Sequence, residues 1–212
     1  MSSESSGPIL QCYQKAMRTT SPLISENDAA RFILELMKKC DQHGRKDFRM
    51  SANQIGRCRG DWFEYGIKEV LNKFLRPDQF RAYPGRGHSV REICGFEKVT
   101  WIPMPDIIVK SPQELRAVVS LKWGMRHDRM YEVGYEAYAT KDWIQQNKMK
   151  SIKVLLVTAN VFSGYESRLQ TMHSCPVIDD IYFVHENLLT PDLKKIVKPL
   201  ANLVSDLRKI AS

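Results

Sequence analysis

The hydrophobic spacing changes from a strand pattern to a helix pattern in the middle of this chain, and that change most constrains its fold. A largely apolar run from Trp101 to Val109 is followed by Ser111-Pro112, which is typical of a turn, and Leu115–Trp123 then has the pattern of a second strand. From Arg129 onward the apolar positions recur with helical spacing. We therefore expect an antiparallel hairpin followed by a helix.

This expected hairpin and helix would bring several polar side chains together. Side chains alternate between the two faces of a strand, so Ser120 and Lys122 should share one face, and the antiparallel return should bring Asp106 close to them. Glu132 and Glu136 are four residues apart and should share one face of the helix. The helix can therefore direct a carboxylate towards the sheet.

Two carboxylates and a lysine are suited to metal-dependent hydrolysis of phosphodiesters. The charge of the phosphate repels a nucleophile, so a divalent cation held by carboxylates must neutralise that charge and lower the pKa of a bound water. In this interpretation Asp106 and Glu136 hold the cation, Lys122 stabilises the charged phosphate, and Ser120 is a bystander or holds a water. The alternative is a set of surface ion pairs at the edge of a sheet.

The same residues resemble a motif of the type II restriction endonucleases of the PD-(D/E)XK nuclease superfamily. Asp106 stands at the Pro-Asp position and Lys122 at the final lysine, but Ser120 replaces the acid that is usual two residues before that lysine. The branch that cuts CCGG-type and related CC-GG sites similarly has this serine and takes its second carboxylate from the following helix. Glu136 stands about where that carboxylate is expected, with Glu132 as the substitute.

The resemblance covers mainly residues 50–160 and also implies DNA contacts. The cluster Arg126, His127, Asp128 and Arg129 resembles the family's arginine and acid cluster, which reads the major-groove edges of guanine and cytosine. A salt-bridged helix start with Asp128 as its cap is the alternative. Glu64 stands on a predicted helix, as does the family's supporting glutamate near the metal, and an exposed helix carboxylate is the alternative.

Other candidate contacts lie in polar segments. Met50 could wedge into a base step from the minor groove or pack against the sheet. The basic stretch 76–91, which we expect to be a loop, could follow the phosphate backbone, and the expected loop 159–176 could reach base edges, or both could simply be solvated. Four further candidates for contact with base edges are Asn53, Gln54, Asn160 and Arg168.

Composition is compatible with a polyanionic partner. The chain has 32 Lys and Arg against 24 Asp and Glu, which gives a formal net charge of +8. Its five cysteines are odd in number and lack CxxC spacing, which disfavours a zinc site or a disulfide framework and favours a reducing cytoplasm. No apolar run approaches the roughly 20 residues of a membrane span, so we expect no membrane association.

The 212 residues are expected to form one α/β nuclease domain with a restriction-endonuclease-like core. We expect a disordered start (1–8), a mainly helical part (9–76), a catalytic core with a mixed sheet flanked by helices (97–185) and a C-terminal helix (191–210). The resemblance implies a Mg²⁺-dependent homodimer that cuts double-stranded DNA at a short GC-rich palindrome of CCGG, CCNGG or CGCG type. The alternatives are a repair or junction-resolving nuclease with the same core and a non-catalytic DNA-binding module.

Overall fold

The computed structural model describes residues 7–76, 81–84, 105–110, 114–149, 152–161, 164–174 and 177–211. Within these residues one mixed sheet contains β1 (Arg81–Pro84), β2 (Ile107–Lys110), β3 (Leu115–Lys122), β4 (Lys153–Thr158), β5 (Asp180–Phe183) and β6 (Lys198–Pro199). The strands lie in chain order across the sheet. Strands β1, β2 and β3 pair antiparallel, whereas β3, β4, β5 and β6 pair parallel.

The helices of the described residues are α1 (Pro8–Thr19), α2 (Ala29–Lys46), α3 (Ala52–Phe74), α4 (His127–Gln146), α5 (Glu166–Ser174) and α6 (Ala201–Ala211). The expected hairpin is present as β2 and β3, and the expected crossover helix is α4, which leads to the parallel strand β4. The predicted mixed α/β sheet flanked by helices, with a helical N-terminal part, is therefore confirmed. None of the described helices is both long and apolar enough to cross a membrane.

The alternation of side chains along β3 divides the core into two layers. Val119 and Leu121 pack into the cluster that also contains the buried faces of α1, α2, α3 and α6. Val118 packs into the opposite cluster, together with Met130 and Val133 of α4. The sheet thus lies between two helical layers, and the even-numbered side chains at the end of β3 point towards α4.

Asp179 fixes the register of α4 against the sheet. Its carboxylate accepts a hydrogen bond from the backbone N–H of Val154, at 2.7 Å, and forms an ion pair with Lys141 of α4, at 2.5 Å. Burial acts to raise the pKa of Asp179, but these two bonds outweigh it and hold the pKa below its usual range. This anchor connects β4, the start of β5 and the middle of α4.

Three expectations about local structure need correction. The single C-terminal helix predicted for 191–210 is wrong: a 3₁₀ turn (Leu193–Lys195) and strand β6 precede α6. Pro199 cannot donate a helical hydrogen bond, and it pairs with Phe183 of β5 instead. The expected loop 159–176 contains α5, and the expected loop 76–91 contains β1.

Other expectations lie partly outside the described residues. The predicted disordered start includes Pro8, which is already the first residue of α1, whereas residues 1–6 are not described. Residues 77–80 and 85–104, which together include most of the basic stretch, are not described either. The extent of the single nuclease domain stays a prediction.

Candidate active site

Asp106 immediately precedes β2, and its carboxylate is held against β3. The pairing of Ile107 with Val119 places Asp106 opposite Ser120. Its Oδ2 atom accepts a hydrogen bond from the backbone N–H of Leu121, at 2.7 Å. The antiparallel pairing of β2 with β3 thus brings an acid that is 16 residues earlier in the chain next to the backbone that carries Lys122.

Lys122 is the last residue of β3, and its ammonium group lies between two carboxylates of α4. Its Nζ atom donates a hydrogen bond to Oε1 of Glu132, at 3.1 Å, and lies 3.7 Å from Oε2 of Glu136. Only 10% of the Lys122 side chain is exposed. The four-residue spacing of the two glutamates allows both to face the same lysine.

The two glutamates have pKa values that are shifted in opposite directions. Burial is the main reason that the pKa of Glu136 is raised; Lys122 acts to lower it, and the charges of Glu132 and Asp106 act to raise it further. Burial also acts to raise the pKa of Glu132, but hydrogen bonds from Arg129 and Lys122 outweigh it, and the pKa is lowered. The fold therefore favours the charged form of Glu132 and disfavours that of Glu136.

These groups line an open cleft of about 740 Å³ between α3, the end of β3 and the start of α4. Four acidic and five cationic side chains line it: Glu64, Asp106, Glu132, Glu136, Arg57, Arg59, Lys122, Arg126 and Arg129. Glu64 is only 7% exposed and is the one charged residue among the described residues that is classed as buried. Glu64 thus adds a buried carboxylate to the acidic side of the cleft.

The arginines of the cleft differ in how they are held. Arg59 of α3 forms two hydrogen bonds to Asp41 of α2, at 3.1 and 2.5 Å. Arg126 precedes α4 and pairs with Asp128, at 2.8 Å, while both side chains stay largely exposed. Arg129, in the first turn of α4, pairs with Glu132 at 2.5 Å. The guanidinium groups at the start of α4 are therefore accessible from the cleft.

The donor set of the cleft fits a magnesium ion. Among the described residues, no three His, Cys, Asp or Glu side chains lie close enough together to hold a metal ion. Mg²⁺, however, usually binds through one or two carboxylates and completes its six ligands with water and phosphate oxygens. Asp106 and Glu136 both line the cleft and are close enough for the charge of Asp106 to raise the pKa of Glu136. Two such oxygen donors are sufficient for this cation.

The remaining sequence-predicted residues lie at different places. Met50 is half-buried and packs against the larger core cluster, and Ser120 is half-buried but does not line the cleft. Exposed Asn53 lines the cleft in the first turn of α3, whereas Gln54 caps that helix through Ser51. Two residues lie away from the cleft lining: Asn160, which follows β4, and Arg168, which is on α5. The His127 backbone begins α4, but its side chain is outside the described residues.

Sequence reasoning missed the part of α3 that faces the cleft. Gly56, Arg57 and Gly60 line it beside the predicted Glu64. Residues 57 and 64 are two helical turns apart, and residues 56, 60 and 64 are separated by one turn each. Residues at these separations lie on the same side of a helix, so their spacing from the predicted Glu64 could have identified them from the sequence.

Comparisons with known proteins give limited similarity. No family model matches the sequence. No curated protein sequence matches it either. One solved structure to which the chain is similar is titled Bse634I restriction endonuclease; the TM-score is 0.49, the sequence identity is 16%, and the match covers 83% of this chain and 86% of that one. Similarity at this level leaves the function of the chain to be argued from its own side chains.

Proposed function

We propose that this protein is a Mg²⁺-dependent type II restriction endonuclease, which hydrolyses phosphodiester bonds of double-stranded DNA at a short GC-rich palindrome. One observation carries the proposal. Asp106 before β2, Lys122 at the end of β3 and Glu136 on α4 line one cleft, together with exposed arginines. Phosphodiester hydrolysis needs carboxylates for a cation, a fixed positive charge and a cationic surface for the DNA backbone.

Glu136 is the better candidate for the second metal-binding carboxylate. Glu132 already forms ion pairs with Lys122 and Arg129, at 3.1 and 2.5 Å, and these hold its charge in place. Glu136 is in a less favourable environment for its charge, because burial and the neighbouring acids raise its pKa. A divalent cation would relieve this repulsion between carboxylates.

The roles of the residues follow from their positions. A bound Mg²⁺ would neutralise the phosphate oxygens and lower the pKa of a water near the phosphorus. Asp106 and Glu136 would hold the cation, and the hydrogen bond from the Leu121 N–H orients Asp106. Lys122 presents its remaining N–H donors to a phosphate oxygen and stabilises the charge that develops in the transition state. Glu64 supports the acidic side of the site from α3.

Sequence recognition is assigned to the start of α4. Arginine can donate two hydrogen bonds to the N7 and O6 atoms of guanine, and an acid can accept one from the amino group of cytosine. Arg126, Asp128 and Arg129 are exposed and lie beside the site of hydrolysis. One such site cuts one strand, so a homodimer whose two-fold axis matches a palindrome would cut both strands. The expected cytoplasmic location stays a prediction.

Digestion of unmethylated plasmid and phage DNA by the purified protein with Mg²⁺, followed by sequencing of the fragment ends, tests the proposal. We expect discrete fragments that share one GC-rich end sequence. Cleavage of branched DNA only would favour a junction-resolving nuclease, and binding without cleavage would favour a DNA-binding module. Either result would contradict the proposed function.

A lysine variant connects the activity to the cleft. Lys122→Ala should reduce cleavage by at least about 10²–10³-fold, because it removes the charge that stabilises the phosphate, and should leave DNA binding largely intact. Lys195→Ala is the matched control, since Lys195 is exposed and forms its ion pair with Asp192 away from the cleft. Normal cleavage by Lys122→Ala would contradict the assignment.

A further inference from the structure

One carboxylate in the cleft connects the residue proposed for hydrolysis with a residue proposed for base recognition. Oε1 of Glu132 accepts a hydrogen bond from Nζ of Lys122, at 3.1 Å, and Oε2 accepts one from Nη1 of Arg129, at 2.5 Å. The contact with Glu132 is the shorter of the two that Lys122 makes with α4. Glu132 therefore uses both of its oxygens, one for each function.

We infer that Glu132 is a positioning residue that couples recognition of a G·C pair by Arg129 to the placement of Lys122 at the scissile phosphate. This inference rests on the proposed function. It gives a role to Glu132, which that function uses neither as a metal ligand nor as a base contact. Glu132 touches neither the phosphate nor the base in this role. It acts by fixing the groups that do.

The donor chemistry of the two cations allows this coupling. A guanidinium group has five N–H donors in one plane, so the bond from Nη1 to Glu132 leaves donors free for the two acceptors of guanine and fixes the orientation of the plane. An ammonium group has three donors, so Lys122 can keep its bond to Glu132 while it donates to a phosphate oxygen. Each cation can thus bind the carboxylate and the DNA at the same time.

The burial of the two ion pairs gives the coupling a direction. The Lys122 side chain is 10% exposed, whereas the Arg129 side chain is 44% exposed and accessible from the cleft. DNA that fills the cleft would exclude water from the outer pair, and an ion pair strengthens where water is excluded. When Arg129 binds guanine, its guanidinium group is fixed and keeps Glu132 in the position that supports Lys122. An Arg129 without its partner leaves Glu132 less constrained.

Glu132→Gln tests the coupling with little change in shape. A glutamine amide offers one acceptor and one donor group, and both Lys122 and Arg129 are donors, so only one of the two contacts can be retained. The substrates are a duplex with the site identified by the digestion above and duplexes in which one G·C pair of that site is replaced. We expect kcat on the correct duplex and the discrimination between duplexes each to fall by about tenfold or more, which corresponds to loss of a hydrogen bond to a charged group.

Two measurements keep these effects apart from a merely structural role. Fluorescence anisotropy without magnesium measures the affinity for each duplex, and therefore discrimination in the absence of cleavage. Thermal unfolding shows whether the variant is folded. Asp192→Asn is the matched control, because it removes the same charge from another pair spaced by three residues, away from the cleft. If Glu132→Gln does not fold, Glu132→Asp keeps the charge on a side chain one methylene shorter and should show the same paired losses, to a smaller extent.

The possible outcomes separate the inference from the proposed function. Loss of kcat with unchanged discrimination would mean that Glu132 serves Lys122 alone, and loss of discrimination with unchanged kcat would mean that it serves Arg129 alone. Provided that the wild-type protein cleaves DNA, either result would overturn the coupling. Unchanged kcat together with unchanged discrimination would overturn it as well. A wild-type protein that cuts no duplex would instead overturn the proposed function and the coupling with it.

Discussion

Glu136 is a residue at which the stability of the fold and the proposed chemistry conflict. Its side chain is half-buried, and its carboxylate faces the charges of Glu132 and Asp106 as well as that of Lys122. Its pKa is raised, so the folded protein favours the protonated form more than the unfolded chain does. Above the pKa that this carboxyl has in the unfolded chain, its ionisation therefore reduces the free energy of unfolding.

Glu136→Gln should therefore raise the melting temperature at neutral pH in the absence of divalent cations, while it abolishes cleavage. The amide resembles the protonated carboxyl, so the gain should shrink as the pH is lowered through the range in which glutamate is protonated. Added Mg²⁺ should stabilise the wild-type protein and not the variant, because a ligand stabilises only the state that binds it. Thermal unfolding followed by circular dichroism at several pH values measures these changes.

Glu132→Gln is a matched control on the same helix, for which we expect a change in melting temperature of the opposite sign. The pKa of Glu132 is lowered in the fold by Arg129 and Lys122 despite its burial, so its charge stabilises the folded state above the pKa of the unfolded chain. Loss of that charge should lower the melting temperature at neutral pH. Equal shifts of the same sign in the two variants would contradict the assigned electrostatics.

The sequence was sufficient to predict that Asp106, Lys122 and Glu136 lie together, because strand alternation, an antiparallel return and helical spacing are local rules. It was not sufficient to predict which oxygen of Glu132 accepts from which cation. Those contacts depend on the rotamers of three long side chains, and these are set only when α4 packs on the sheet. Local spacing thus predicts the positions of functional groups better than it predicts their partners.

Helices α2 and α3 approach each other closely at Gly66, and the cleft on the other side of α3 depends on that packing. A Cβ atom at Gly66 would lie 2.8 Å from Cδ1 of Ile33 and 3.1 Å from Cδ2 of Leu36, and both of these side chains are fully buried. A methyl group at this position must therefore displace core side chains. Gly60, six residues earlier on the same helix, is exposed and would place its Cβ in open space.

Gly66→Ala should lower the free energy of unfolding by about 1–2 kcal/mol, since overpacking exceeds the gain in helix propensity. Gly60→Ala should raise it by about 0.5–1 kcal/mol, because only the gain in propensity remains. Urea denaturation of the two variants beside the wild type measures both changes. A gain in stability from both substitutions would show that α2 and α3 can separate at little cost.

At the level of elements, long and strongly periodic segments were predicted well, and segments with competing signals were not. Helix α2 lies in the part expected to be mainly helical (9–76), and its apolar residues Phe32, Ile33, Leu36 and Met37 recur with helical spacing and are buried. The segment 191–210 has helical spacing, but Leu193 is buried in a short 3₁₀ turn and Pro199 joins the edge of the sheet. Residues 198–199 pair with β5 and do not continue a helix. A sequence pattern does not reveal a partner strand that lies elsewhere in the chain.

For the whole molecule, the number of clefts determines how many strands of a DNA duplex the proposed enzyme can cut. The described part of the chain brings Asp106, Lys122 and Glu136 into one cleft, which supplies one set of the groups proposed for hydrolysis. The strands of DNA run antiparallel, so an identical site on a second subunit, related by a two-fold axis, would meet the other strand in the same orientation. Under the proposed function, double-strand cleavage then requires two intact subunits.

A heterodimer of one wild-type and one Lys122→Ala subunit should therefore nick a supercoiled plasmid that contains a single recognition site. The two chains can be given different affinity tags and purified in sequence, so that only mixed dimers remain. The wild-type homodimer, which should produce linear plasmid, and the Lys122→Ala homodimer, which should leave the plasmid supercoiled, are the controls. Because Lys122 lies beside Asp106 and Glu136 of its own chain, one intact cleft should cut only the strand that it faces. Linear product from the mixed dimer at the wild-type rate would show that one cleft processes both strands, and would contradict the two-fold arrangement.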